Sequence, residues 1–93
     1  MNATVDDVLA AQQACREAIE TGEADACQAA WQAYDELART LSTRGVPFSA
    51  LRQVLDGHFE LERQARRARD QLVESQQTVT RQRSADRAYR AHD

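Results

Sequence analysis

The residues that interrupt regular backbone structure are few, and their positions constrain the fold more than any other feature of the sequence. The 93-residue chain contains one proline and three glycines. Gly22 follows a first segment without glycine or proline, and the sequence TRGVP places Gly45 and Pro47 after a second such segment. Apolar residues recur at helical spacing on both sides of these points. We therefore expect an all-α fold in a single domain, residues 1–93, with an antiparallel helical hairpin followed by a long third helix.

The first helix is predicted over about residues 5–21. Thr4 is a suitable N-cap, and Asp7 three residues later gives a weaker form of the capping box. Gly22 suits the position just after a helix, where the left-handed conformation is common. Gln12 falls within the apolar stripe, and we expect it to weaken the packing of that face. The stripe comprises Val5, Val8, Leu9, Cys15 and Ile19.

The second helix is predicted over about residues 23–43, with apolar residues at alternating spacings of three and four. Trp31 and Tyr34 should be its main core anchors, and the alternative is an aromatic pair that binds a partner. Because only one or two residues separate this helix from the first, the two should form an antiparallel hairpin. The stripe, widened by Leu37, comprises Ala24, Cys27, Trp31, Tyr34, Ala38 and Leu41.

The third helix is predicted from Pro47 to about residue 90, because no strong stop signal follows. Gly57 lies inside it at a cost of about 1 kcal/mol relative to alanine, but the pattern resumes at once. A second apolar strip on the first half of the helix indicates contact with both other helices. We call the two patterns the seam (Leu51, Val54, His58, Leu61, Ala65, Ala68 and Leu72, continued by Ser75 and Val79) and the outer strip (Phe48, Leu55 and Phe59).

The third helix is too long for the hairpin. At 1.5 Å per residue the hairpin helices span about 25–32 Å, whereas the third helix spans about 65 Å. The segment from Leu72 to Tyr89, here called the overhang, therefore extends past the hairpin. It pairs with another copy, awaits a partner, or simply frays. We expect a client-binding or self-association surface formed by its larger apolar residues, Leu72, Val73, Val79 and Tyr89.

The composition predicts a thin core. Leucine, isoleucine, valine and phenylalanine together account for only 16 residues, while alanine accounts for 17. Alanine favours helix but buries little apolar area. A domain of this size is marginally stable even with a good core, so we expect stability to be shared with a partner or a second copy.

Charge favours protein partners over nucleic acid. Residues 1–46 carry a net charge of −5 and residues 47–93 a net charge of +2, whereas nucleic-acid-binding domains are usually strongly basic. The run ERQARRARD interleaves arginines with carboxylates and is predicted to be a solvated face, with Glu62 and Arg66 as an attractive pair. The acidic N-terminus has no signal-peptide pattern, and no apolar run is long enough to span a membrane. We expect a cytoplasmic protein.

No residue pattern indicates catalysis or metal binding. Cys15 and Cys27 lie on apolar stripes, which favours two small buried thiols over a redox pair or half a zinc site. His58 lies on the seam and is expected to be a hydrogen-bonded core or interface histidine. His92 lies beyond the expected helix. We therefore expect no disulfide, no metal, no cofactor and no enzyme activity.

The order of these parts resembles the FliT-like flagellar export chaperones over about residues 10–90. A short helical hairpin precedes LRQVLDGHFELERQARRARDQLVES, a long helix with a Leu-Asp step, a Leu and then Arg-Asp-x-Leu. The final RQRSADRAY is similar to the family's polar run, which ends in Ala-x-x-Tyr or a near equivalent. Longer members have a separate fourth helix, which is not found in these 93 residues.

The resemblance implies a chaperone that binds the helical C-terminal region of the filament-cap protein FliD and delivers it to the flagellar type III export machinery. It further implies contacts of some members with export-gate and ATPase components or with the flagellar master regulator. Two alternatives remain open from the sequence. One is a coiled-coil adaptor that associates with its own copy, and the other is a small regulatory protein that binds a transcription factor or DNA.

Overall fold

Three α-helices make up the structure, a computed structural model that describes residues 2–91. Helix α1 spans Val5–Thr21, α2 spans Ala24–Thr40 and α3 spans Phe48–Ala91. The predicted all-α class, with a hairpin and a long third helix, is confirmed. His92 lies outside the described residues. Within residues 2–91, no helix has an apolar stretch of the length that a bilayer crossing requires.

Both ends of α1 are stabilised as the sequence predicts. The backbone N–H of Asp7 donates to Thr4 Oγ1 at 3.2 Å, and the backbone N–H of Thr4 donates to Asp7 Oδ2 at 3.0 Å. These hydrogen bonds with Thr4 hold the pKa of Asp7 below its usual range. At the other end Gly22 adopts φ 73°, and its N–H donates to the carbonyl of Ile19. The capping box and the glycine together define the length of the helix.

Helix α2 ends at Thr40, three residues earlier than predicted. Leu41 has an extended conformation, with ψ at 121°, and forms an isolated parallel bridge with Ala3. The backbone N–H of Ala3 donates to the carbonyl oxygen of Thr40 at 3.1 Å. Carbonyls in the last turn of a helix have no partner within it. The carbonyl of Thr40 is satisfied by the N–H of Ala3 in the N-terminal segment. The helical pattern alone could not reveal this contact.

The helices run up, down and up. The side chain of Gln12 on α1 contacts the carbonyl of Val54 on α3, and further along both helices Ile19 lies near Ala65. Helices α1 and α3 are therefore parallel, with α2 antiparallel to both. Helix α3 packs along α1 and meets α2 through side chains, chiefly where His58 stacks on Tyr34 with ring centroids 5.9 Å apart.

The core is as thin as the composition predicts. Among the residues that the structure describes, only four side chains are fully buried, and one of them is polar; they are Val8, Gln12, Cys15 and Leu61. Tyr34 is nearly buried, and the half-buried Trp31 packs beside it with ring centroids 5.8 Å apart. The two aromatics therefore anchor α2 as predicted, whereas Ala24 and Ala38 of the same stripe are exposed.

Gln12 was expected to weaken the α1 stripe, and this expectation is wrong. Its Nε2 donates to Tyr34 Oη at 3.1 Å and to the carbonyl oxygen of Val54 at 2.9 Å. Tyr34 Oη lies 2.9 Å from His58 Nδ1, and His58 Nε2 lies 3.0 Å from Glu62 Oε1. Because Gln12 occupies a lone pair of the hydroxyl, Tyr34 can donate to Nδ1 while Nε2–H donates to Glu62. This chain of hydrogen bonds connects all three helices.

Gly57 lies at the point where α3 passes over Gln12. The helix continues through it without a break, as predicted. A Cβ atom at this position would collide with Gln12 Oε1. The glycine therefore provides the space for the buried amide, which explains why a residue unfavourable in a helix interior stands here.

The other helices leave the outer strip largely uncovered, contrary to the prediction that it packs on both of them, although Phe59 borders a surface depression together with Leu9 and Arg16 of α1. Phe48, Leu55 and Phe59 are 78%, 52% and 50% exposed. The strip lies about a third of a turn around α3 from the seam. Since α1 covers the seam and α2 packs on α1, no third neighbour is left to cover the strip.

The overhang gives the molecule its elongated shape. The described residues extend 74 Å along the longest axis and only 22 Å and 17 Å along the others. Their radius of gyration is 19.8 Å, against about 12 Å for a compact domain of this length. From Arg69 to Arg90 every side chain is exposed.

We predict that Gly57→Ala destabilises the protein, although alanine is the better helix former. The new methyl group displaces Gln12, which can move only by giving up buried hydrogen bonds, so the free energy of unfolding should fall by about 1–3 kcal/mol. Urea unfolding measures the change. Ser84→Ala, at an exposed position of the same helix, is the matched control and should have no such effect. A Gly57→Ala protein more stable than the wild type would contradict the role assigned to Gln12.

Candidate functional site

An apolar groove of about 340 Å³ opens where the hairpin ends beside α3. Two seam positions facing it, Ala65 and Ala68, have side chains too small to fill the space between the helices. Trp31 forms the opposite wall, where it is only half-buried. The groove is lined by Ile19, Gly22, Ala24, Cys27, Trp31, Ala65, Ala68, Arg69 and Leu72.

The overhang begins at the mouth of this groove. Leu72 lines the groove and is 61% exposed, and further along Val73, Val79 and Tyr89 are 43%, 45% and 74% exposed. All four residues predicted as a partner-binding surface are thus accessible. Within residues 2–91, the seam of α3 has no packing partner beyond the hairpin.

These four residues do not form a single surface. Leu72 and Val79 are seven residues apart and share the seam face within about 20°. Val73 lies about 100° away and continues the outer strip, two heptads after Phe59. Tyr89 falls on neither face. The sequence-based prediction grouped side chains that the helix separates, and only Leu72 and Val79 continue the groove.

The charges along the overhang are predominantly basic. Two carboxylates, Glu74 and Asp86, lie among three arginines, Arg81, Arg83 and Arg87, and Arg90 follows directly after the overhang. Arg69 adds a guanidinium at the mouth of the groove. The rim around Leu72 and Val79 is therefore best suited to a partner with acidic residues flanking its apolar face.

The arginine run that precedes the overhang is a solvated face, as predicted. Glu60 pairs with Arg63 at 2.8 Å and with Arg67 at 3.4 Å. The predicted Glu62–Arg66 pair is not formed, because Glu62 instead accepts a hydrogen bond from His58. Exposed pairs of this kind contribute little to stability.

The two cysteines are free and differ in environment. Cys15 is fully buried, and Cys27 is half-buried at the groove with its Sγ 3.3 Å from the carbonyl oxygen of Ala18. Burial raises the pKa of the Cys15 thiol, and the neighbouring Cys27 adds to the rise. Among the described residues, no three side chains of His, Cys, Asp or Glu are grouped as a metal ion would require.

His58 has the structural role that the sequence analysis assigned to it. Both ring nitrogens are engaged, with Tyr34 and with Glu62. The buried hydrogen-bond chain itself was not found from the sequence. A polar residue within an apolar stripe, Gln12, was the available signal, since a buried amide requires partners on the facing helices.

Comparisons of the chain with family models, curated proteins and solved structures give no match. The function therefore has to be inferred from the groove and the overhang.

We predict that a thiol reagent modifies Cys27 well before Cys15. The thiolate is the reactive form, and Cys15 is both buried and raised in pKa, so its alkylation at pH 8 should be at least about tenfold slower. Mass spectrometry of digested protein after timed treatment with iodoacetamide measures both rates. Equal rates under native conditions, with a denatured sample as the control, would show that Cys15 is not in the core.

Proposed function

We propose that this protein is a non-catalytic, helix-binding chaperone of the FliT type, acting in the cytoplasm on the FliD-like filament-cap protein and delivering it to the flagellar export apparatus. The observation that carries the proposal is the continuity of the groove with the exposed seam of the overhang. The FliD-like client is proposed from the resemblance to the FliT-like chaperones. Export-gate or ATPase components are proposed as further partners on the same resemblance.

The hairpin covers the seam of α3 only as far as the groove. Beyond the groove, the seam continues along the overhang with no helix packed against it. A client helix lying against Leu72 and Val79 would take the place along α3 that α1 occupies in the first half. Its own apolar residues would recur at spacings of three, four and seven, as in other helix-in-groove complexes. The proposed mechanism is therefore completion of an unfinished helical bundle by the client.

The side chains of the groove and of the overhang seam support a client helix that makes only a few apolar contacts. Leu72 and Val79 are isolated larger apolar residues in a polar helix, and full burial of each would contribute about 1.5–3 kcal/mol. Trp31 adds an aromatic side chain at the groove, the kind of residue that often dominates binding energy. The arginines of the overhang favour acidic flanks on the client helix and would speed encounter at low salt.

We predict that replacing Leu72 and Val79 together by Glu abolishes client binding while leaving the fold intact. Both side chains are exposed in the free protein, so their loss should change the free energy of unfolding little. Each substitution alone should weaken binding at least tenfold, equivalent to about 1.4 kcal/mol. Fluorescence anisotropy with a labelled helical C-terminal segment of a FliD protein measures the affinity.

The matched control is Gln77→Glu with Ser84→Glu, which has the same spacing and added charge on the opposite face of the overhang. It should bind as the wild type does. Truncation after Gln77 should also lose at least about tenfold in affinity, because it removes Val79, Tyr89 and four arginines. Equal affinity of wild type, control and Leu72/Val79 variants would exclude this surface as the client site.

Alkylation of Cys27 provides a second readout at the groove. A bound client helix that reaches Trp31 should slow modification of Cys27 and leave the rate at Cys15 unchanged. Binding without protection of Cys27 would confine the client to the overhang.

A further inference from the structure

The outer strip of α3 is an apolar surface that the proposed client site does not use. Its three residues, Phe48, Leu55 and Phe59, are each at least half exposed. They lie on a different face of α3 from the groove and the overhang seam. We infer that this strip is the interface of an antiparallel, two-fold symmetric dimer of this chain. The inference goes beyond the proposed function and does not depend on it.

The strip belongs to a longer pattern once charged residues on the same face are included. Positions 48, 52, 55, 59, 62 and 66 are separated alternately by four and three residues, the spacing of a coiled-coil interface. They are occupied in order by Phe, Arg, Leu, Phe, Glu and Arg. Two apolar positions thus lie at the centre, with charges on both sides.

An antiparallel pairing centred on Gly57 makes this pattern self-complementary. Leu55 then faces the partner subunit's Phe59, and Arg52 faces the partner subunit's Glu62. Phe48 faces the partner subunit's Arg66, where a guanidinium can stack on the aromatic ring. Two-fold symmetry forms each of these contacts twice.

A parallel pairing has the opposite electrostatic outcome. It would place like side chains opposite one another at Arg52, at Glu62 and at Arg66, and each such pair is repulsive. Only the antiparallel register pairs opposite charges. The charge order along the strip therefore identifies a second copy, in one orientation, as the matching surface.

The charged side chains are free to make these contacts. Arg52 is 70% exposed, and its Nε lies 3.9 Å from Asp56 Oδ2. In the dimer the Asp56 side chains of the two subunits approach each other near the two-fold axis, and each Arg52 offsets the charge of its own Asp56. Glu62 is 43% exposed and uses Oε1 toward His58, which leaves Oε2 for the partner subunit's Arg52. In this dimer the two overhangs project in opposite directions.

Analytical ultracentrifugation of the full chain tests the proposal. The wild type should sediment at twice the 10.5 kDa chain mass and dissociate on dilution. Arg52→Glu alone and Glu62→Arg alone should each weaken the dimer at least tenfold. An equimolar mixture of these two variants should regain the dimer, because opposite charges then face each other at both sites.

A second pair of variants guards against misfolding, since Glu62 also takes part in the buried hydrogen-bond chain. Leu55→Glu should give a folded monomer by circular dichroism that still binds client. Leu72→Glu should remain a dimer, so a failure of the client proposal would not affect this result. A wild type that is monomeric at hundreds of micromolar, or a dimer unaffected by Leu55→Glu, would overturn the inference.

Discussion

The mismatch in helix length is the constraint on which the rest of this structure depends. The hairpin helices have 17 residues each, while α3 has 44 and runs on without a break. Two short helices can cover one face of one half of such a helix and no more. The exposed outer strip, the groove at the end of the hairpin and the bare overhang all follow from this geometry. Each is a surface that the chain cannot cover by itself.

A thin core leaves the alignment of the helices to be fixed by other means. Alanines at Ala11, Ala18, Ala65 and Ala68 allow close approach but give weak preference for one register over another. The hydrogen-bond chain from Gln12 through Tyr34 and His58 to Glu62 supplies that preference, because a shift along α3 would leave a buried amide unpaired. Gly57 allows the amide to lie there. Polar specificity and small-residue packing thus act together in this bundle.

The sequence predicted the elements of the fold well and their contacts less well. Capping residues, turn glycines and helical spacing are local signals, so the number, order and approximate bounds of the helices could be read from them. The end of α2 depended on a contact with Ala3, distant in sequence. The fate of the outer strip depended on which face of α3 met α1, and an apolar strip alone does not specify that. Gln12 was misjudged because its partners lie on the other two helices.

The candidate site was predicted in position but not in composition. The overhang was located from helix length alone, yet grouping Leu72, Val73, Val79 and Tyr89 ignored their angular positions on the helix. The groove was missed because it forms where the seam side chains are small. Ala65 and Ala68 leave a space between the helices that a larger side chain would fill. Such a void depends on the distance between helices, which residue spacing does not report.

The division of α3 into a packed half and an unpartnered half, which meet near Leu72, underlies every surface described above. Amide hydrogen exchange of the free protein, followed by mass spectrometry of peptic fragments, tests it most directly. We expect strong protection across residues 54–68 and exchange close to that of an isolated helix across residues 73–89. Equal protection of the two segments in the free protein would contradict it, because the overhang would then already be covered.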